Sequence, residues 1–248
     1  TELGLYITIN GGDRWSKFTK NVPPVAVHYI ELQSQTNDLV MGTHGRGVII
    51  IDDISPLREI NEDNLSNKLY FFERDQFEIQ EFGGFSDSFG RETQFFGANP
   101  SLSCEIQYLL PKRHTFGKMT MEIQDMDGNK ITTLNPGKSK GINTVNWSYN
   151  MRTPKIAKAK TLSFGGFTSP TVPAGDYKVV IKKGRDTFEK VINVTYKNNA
   201  GLSDEDRKFQ YETVMKLFNM TEELAYMVYV IDELISNENT DDQISSKL

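Results

Sequence analysis

His44-Gly45-Arg46 puts an imidazole and a guanidinium on one short glycine turn, a pairing that can offer a fixed cation to an acidic ligand. Asp52-Asp53 is the most conspicuous pair of carboxylates near it. Hydrolysis of a glycoside usually needs two carboxylates about 5–10 Å apart across the scissile bond. Neighbours on a strand point to opposite faces, so Asp52 and Asp53 cannot flank one sugar. The three histidines, His28, His44 and His114, fall in separate segments without ligand-like spacing, so no metal site and no cofactor is expected. The single Cys104 excludes an internal disulfide framework, and in the β-patterned run 103–110 a small buried thiol is expected.

The elements that hold the His44–Arg46 turn are strands. Thr8-Ile9-Asn10-Gly11-Gly12-Asp13-Arg14-Trp15 follows the strand-like run Gly4-Leu5-Tyr6-Ile7. The Asn10 side-chain carbonyl can accept from backbone N–H groups ahead of it, Gly11 or Gly12 can take positive φ, and Trp15 can fold back on the hairpin. The stretch resembles an Asp-box, with Thr8, Asn10, Gly12 and Trp15 in the structural positions of that motif. Such boxes recur once per blade in β-propellers. A weakened second copy runs from Thr43 to Asp53, with Gly47 over Gly4 and Asp53 over Asn10. The offset of about 43 residues is the length of a four-stranded blade. Two further strand candidates, 25–32 and 38–42, lie between the copies around the polar turn Ser34-Gln35-Thr36-Asn37. Residues 1–60 are therefore expected to be the last blade or blades of a propeller. Consecutive turns of a meander fall at opposite ends, which puts His44 and Arg46 opposite the boxes, on what is commonly the ligand face of a propeller.

Residues 61–98 are rich in Phe and Gly and read as a linker packed between domains, with short strands at 69–72 and 76–80. Clean alternation follows over 103–110, 119–124, 130–134, 141–147, 175–181 and 187–194, with Gly turns between, which is the pattern of a β-sandwich. Asn99-Pro100, Tyr108-Leu109-Leu110-Pro111, Gly128-Asn129, Trp147 and Pro173-Ala174-Gly175-Asp176-Tyr177 resemble the non-catalytic immunoglobulin-like domain of flagellar hook-capping proteins, over residues 99–198. The insertion 149–171, carrying Arg152, Lys155, Lys158 and Lys160, departs from that pattern and reads as a solvated basic loop.

Ser203-Asp204-Glu205-Asp206 is a capping box with acids against the helix dipole. Val214, Leu217, Thr221, Leu224, Val228, Ile231 and Ile235 then alternate spacings of three and four, an a/d stripe widened by Phe209, Phe218, Ala225 and Tyr226. A helix over 202–237 is expected, with a polar tail or hairpin connection over 238–248. A stripe so apolar implies either docking on the sandwich or a second C-terminal helix as its partner.

The series of a Gly-Thr-His-Gly-Arg-Gly block, an aliphatic strand, Asp52-Asp53, the linker, the sandwich and the capped helix is similar to the C-terminal third of bacterial sortilin-like proteins with Asp-box repeats. Those proteins are large, secreted or envelope-located, and often labelled glycoside hydrolase or exo-sialidase-like. The resemblance implies a mainly β fold, upstream propeller blades as partners, and a non-catalytic structural or interaction role for this chain, with a glycan or protein as possible ligand. The alternative is part of a propeller glycoside hydrolase whose catalytic residues lie mostly upstream, rimmed here by His44 and Arg46. The arginine cluster and Tyr–Glu pair of a sialidase are not recognisable in these residues. A net charge of −5 over 248 residues does not fit a nucleic-acid-binding chain, and there is no apolar run long enough to span a bilayer.

Overall fold

The computed structural model describes residues 1–79, 102–157, 169–197 and 201–245, with side chains of the last helix to Ser236. The chain is mostly β with several sheets and a C-terminal helix, and it divides into two compact units. One unit comprises residues 1–74, 107–117 and 137–144; the other comprises 75–106, 118–136 and 145–248.

In the first unit, β1 (Leu5–Ile7) and β2 (Ser16–Phe18) form an antiparallel hairpin. β3 (Val27–Gln33), β4 (Asp38–Thr43) and β5 (Val48–Ile51) form an antiparallel meander in the order β3-β4-β5. The expected strand pattern of the first sixty residues is therefore present, spread over two sheets. An offset of 43 residues lays β1 over β5, but β1 pairs with β2 in a two-stranded sheet while β5 is the edge of a three-stranded one. Leu5, Val22, Val27 and fully buried Met41 make the core, with Ile7, Phe18, Leu39, Ile49 and Ile51 packed against it. Register explains the alternation: Ile30, Met41 and Ile49 stand side by side across the sheet, as do Leu32, Leu39 and Ile51. Tyr29, Gly42 and Val48, with Val40 and Ile50 beside them, occupy the opposite face.

Two short helices follow, α1 (Ser55–Glu59) and α2 (Glu62–Ser66), the second capped by the Asn61 side chain accepting from the Asn64 N–H at 2.8 Å. β6 (Tyr70–Phe71) and β7 (Gln76–Ile79) were placed by the sequence within a linker, but each joins a sheet. β6 pairs with β8 (Cys104–Leu110) in a sheet of order β11-β8-β6, where β11 is Gly141–Trp147. β7 pairs in parallel with β13 (Asp186–Tyr196) at the edge of a five-stranded sheet. That sheet has the order β10-β9-β12-β13-β7, with β9 at Met119–Gln124, β10 at Lys130–Leu134 and β12 at Gly175–Lys183. The reason is backbone accounting: a linker strand beside an open edge satisfies its amides by pairing, as when Asn193 N–H donates to the Asp75 carbonyl at 2.7 Å. The Phe/Gly run over 80–101 lies outside the described residues.

The centre of the second unit is aromatic. Trp147 is 1% exposed, with the rings of Tyr149 and Tyr177 each 5.6 Å away, and its indole N–H donates to the Asn150 carbonyl at 2.9 Å. Met119, Met121 and Ile123 alternate inward along β9, as do Tyr177, Val179 and Ile181 along β12. Cys104 is buried, in agreement with its β-patterned context.

The last element, α3, runs from Asp204 to Ser245, past the end expected at 237. Residues 237–245 hold Asn, Asp, Thr and Ser but neither Gly nor Pro, so propensity weakens without a stop signal. The capping box forms as expected: Ser203 Oγ accepts from the Asp206 N–H at 3.1 Å, and the Asp206 carboxylate accepts from the Ser203 N–H at 3.2 Å. The Ser203 hydroxyl, donating to the Asp206 carboxylate at 2.7 Å, and after it the Ser203 N–H hold that carboxyl below its ordinary range.

Candidate functional site

The box turn is built as its residue types dictate. Gly12 N–H donates to Thr8 Oγ1 at 3.0 Å and Arg14 N–H donates to Asn10 Oδ1 at 3.0 Å. Gly11 and Gly12 both have positive φ, 71° and 105°. Trp15 stays 60% exposed rather than folding away; it lines one side of a shallow groove with Leu5, Tyr6 and Ile30.

The stretch 43–53, expected to be a second box, makes anchoring bonds at its end instead. Asp53 takes φ of 42°, its N–H donates to Asp38 Oδ1 at 2.9 Å, and its own Oδ1 accepts from the Ser55 N–H at 3.1 Å. Arg74 stands 3.8 Å from the other carboxylate oxygen. Asp53 is thus committed to tying the end of β5 to the turn before β4, where Ile54 N–H also donates to the Asn37 carbonyl. The Thr36 hydroxyl and the Asp53 N–H together hold the Asp38 carboxyl below its ordinary range.

His44 and Arg46 lie at the other end of the meander, as topology required. Thr43 closes the turn by donating its N–H and hydroxyl to the Gly47 carbonyl, and His44 N–H donates to the Ala26 carbonyl at 2.9 Å. Both side chains are exposed, and Arg46 makes no hydrogen bond or ion pair with the described residues. His28, far from this turn in the sequence, comes to His44, their ring centroids 5.6 Å apart. The register irregularity between Val27 and Tyr29 falls at His28, and such a bulge re-aims a side chain, which periodicity cannot reveal. The exposed Arg46 guanidinium on this turn is a fixed cation that an acidic group could meet, with the His28 and His44 rings at the same end of the meander. Among the described residues no cluster of three metal-ligating side chains occurs.

A second functional arrangement, missed by the sequence reading, fastens α3 to its own unit. Arg152, expected to be solvated, makes a two-pronged ion pair with Glu222, its second nitrogen at 2.8 Å, and its guanidinium lies 4.9 Å over the Phe218 ring. Lys155 N–H adds a third bond to the same carboxylate at 2.8 Å. Arg207 covers the Tyr196 ring at 3.8 Å, and Tyr211 reaches Met151. Residues 207, 211, 218 and 222 follow one another at helical spacing, a docking face distinct from the a/d stripe. Lys158 and Lys160 lie outside the described residues. A spacing of three and four in the sequence was the available signal, but the broader stripe beside it masked this one.

Arg152, and after it the Lys155 N–H, hold the Glu222 carboxyl down at about 2, against an ordinary value near 4.5. A lowered folded value contributes stability above pH 4.5 that is lost as pH falls through about 2. Arg152 is half-exposed, so water screens the pair and its worth is about 1 kcal/mol. Amide protection factors around residues 215–225, which remove the intrinsic pH dependence of exchange, should therefore fall about fivefold between pH 5 and 2, and Arg152→Ala should show the lower protection at both pH values. Exchange protection that is the same at both pH values in the unmodified chain would contradict the clamp.

No family model, curated protein or solved structure matches this chain.

Proposed function

We propose that this chain is a non-catalytic structural and interaction region of a large secreted or envelope protein of the sortilin-like Asp-box type. In this reading the β1–β2 hairpin and the β3–β4–β5 meander are pieces of propeller blades, and the second unit carries an immunoglobulin-like module with a helical extension. One observation carries it. The meander is apolar on both faces, and the core covers the face bearing Met41 only along β4 and β5; Ile30 on that face is 48% exposed, and Val48 and Ile50 on the other are 65% and 55% exposed. A sheet apolar on both faces is built to be packed on both, and a blade stacked between two neighbours meets that condition. The Asp-box hydrogen bonds add support for the blade. Tyr177, near the start of β12, donates its hydroxyl to the Pro173 carbonyl at 2.6 Å, the contact of a tyrosine corner, which supports the immunoglobulin-like module.

The exposed Arg46, on the turn that also carries His44, supports a second reading, in which the parent is a propeller glycosidase and this edge rims its active site. Fluorogenic sialosides and neutral glycosides separate the two. The first reading expects no turnover from this chain or from the intact protein. Turnover by the intact protein that falls at least tenfold on Arg46→Ala would favour the second; turnover unchanged by that substitution would remove the role of this edge.

A further inference from the structure

The box turn holds the one asparagine of this chain that is followed by glycine, Asn10-Gly11, and both residues are exposed. A backbone nitrogen that follows asparagine can attack the side-chain amide carbon, and glycine lets it approach because no Cβ stands in the way. Gly11 has φ of 71°, and a Cβ placed there would meet nothing within 4 Å, so the approach is open. Among the described residues the Gly11 N–H donates to no acceptor. The Gly12 N–H beside it is given to Thr8, and in the similar pair Asp127-Gly128 the Gly128 N–H is given to the Asp125 carbonyl at 3.1 Å.

The amide is also activated. Thr8 Oγ1 accepts from the Asn10 and Gly12 N–H groups at 3.4 and 3.0 Å, which turns its own proton toward Asn10 Oδ1 at 2.9 Å. Arg14 N–H donates to the same atom at 3.0 Å and, since it can only donate, identifies that atom as the amide oxygen. Two donors therefore point at the oxygen on which negative charge develops when the amide carbon is attacked, the arrangement of an oxyanion hole. We propose that Asn10 is a self-modification site, converting without an enzyme into aspartate or isoaspartate through a cyclic imide. The Gly11 nitrogen gives up its proton and bonds to Asn10 Cγ, the Cγ–Nδ2 bond breaks, and the amide nitrogen leaves with a proton as ammonia. Water then adds to one of the two ring carbonyls. Addition at Cγ restores the ordinary backbone with an aspartate; addition at the backbone carbonyl leaves the chain running through Cγ as isoaspartate. An aspartate keeps the Thr8 and Arg14 donors and strengthens both bonds, so that product leaves the turn intact. The inference rests on this turn alone and is independent of the propeller reading.

Incubation of the folded chain at neutral pH in water enriched in heavy oxygen, followed by peptide mass spectrometry and isoelectric focusing, tests it. The peptide carrying Asn10 should change from amide to acid with one heavy oxygen incorporated, which excludes conversion during digestion, and the net charge should fall by one from −5. Conversion should be at least as fast in the folded chain as in the same chain unfolded in guanidinium chloride. Thr8→Val should slow it by at least about threefold in the folded chain, while Thr8→Ser, which keeps the hydroxyl, should preserve the rate. Conversion slower in the folded chain than in the unfolded one would mean that the bonds of the turn protect the amide. A smaller effect of Thr8→Val would mean that the hydroxyl does not act on it. Either result overturns the proposal, as does an Asn10 that persists unchanged.

Discussion

Trp147→Ala should destabilise the second unit by about 3–5 kcal/mol, the largest loss expected from any single substitution described for this protein. The indole is almost wholly buried and meets two tyrosine rings, so alanine leaves a void that rigid aromatic neighbours close poorly. It also strips the Asn150 carbonyl of its donor. That loss spreads, because Asn150 bridges to Thr171, and the next residues, Met151 and Arg152, donate to the Pro170 and Ile131 carbonyls before the chain reaches the Glu222 clamp. Tyr149 shares the site and has φ of 58°, a conformation that a bulky residue holds only when its surroundings enforce it. Urea denaturation followed by circular dichroism should show the midpoint falling steeply, with Trp147→Phe costing about half as much because it keeps a ring and loses the N–H. A loss below about 1 kcal/mol for Trp147→Ala would mean that this tryptophan does not organise the unit.

Gly137→Ala should cost about 2–4 kcal/mol in the first unit. A Cβ there would stand 2.5 Å from Asn143 Oδ1 and 3.0 Å from its Cβ. Asn143 cannot swing aside cheaply: it is buried, accepts from the Ser139 N–H at 3.1 Å, and donates to the Ser139 and Gly141 carbonyls at 2.8 and 3.0 Å. The Gly137 carbonyl is itself held by the Tyr108 hydroxyl at 2.6 Å. Combining Gly137→Ala with Asn143→Ala should cost less than the sum of the two, since the second removes the atoms struck by the first. Strict additivity in that cycle would remove the steric explanation. Burial pushes the Tyr108 hydroxyl up to about 12, so its contribution is complete below pH 10 and is lost as pH rises through about 12. Tyrosine ionisation followed at 295 nm, where a phenolate absorbs, should begin at lower pH in the Gly137→Ala variant.

The strands were legible because alternation, turn residues and their spacing are local. β9, β10 and β11 fall on the residues that the pattern indicated, and the box turn makes the bonds that Thr8, Asn10 and Gly12 imply. What escaped the sequence was pairing between distant segments. Nothing in Gln76–Ile79 says that it will lie parallel to Asn193–Tyr196, and nothing near Arg152 announces Glu222 seventy residues later. The candidate site was half legible for the same reason. His44 and Arg46 are two residues apart and could be read as one turn, while His28 reaches His44 only through strand pairing and a bulge. On α3 the apolar stripe was visible as a period, but periodicity does not say which of two adjacent stripes the fold will cover. Phe218 and Tyr211 went inward, and the seam through Leu224 and Met227 stayed open.

The blade reading stands or falls on what covers Tyr29, Val40, Val48 and Ile50. A structure of the intact polypeptide at side-chain resolution would settle the matter. The account predicts a further antiparallel sheet packed on that face about 10 Å away, with its strands within about 30° of β4. A face left open to water, or covered by a helix instead, would contradict it.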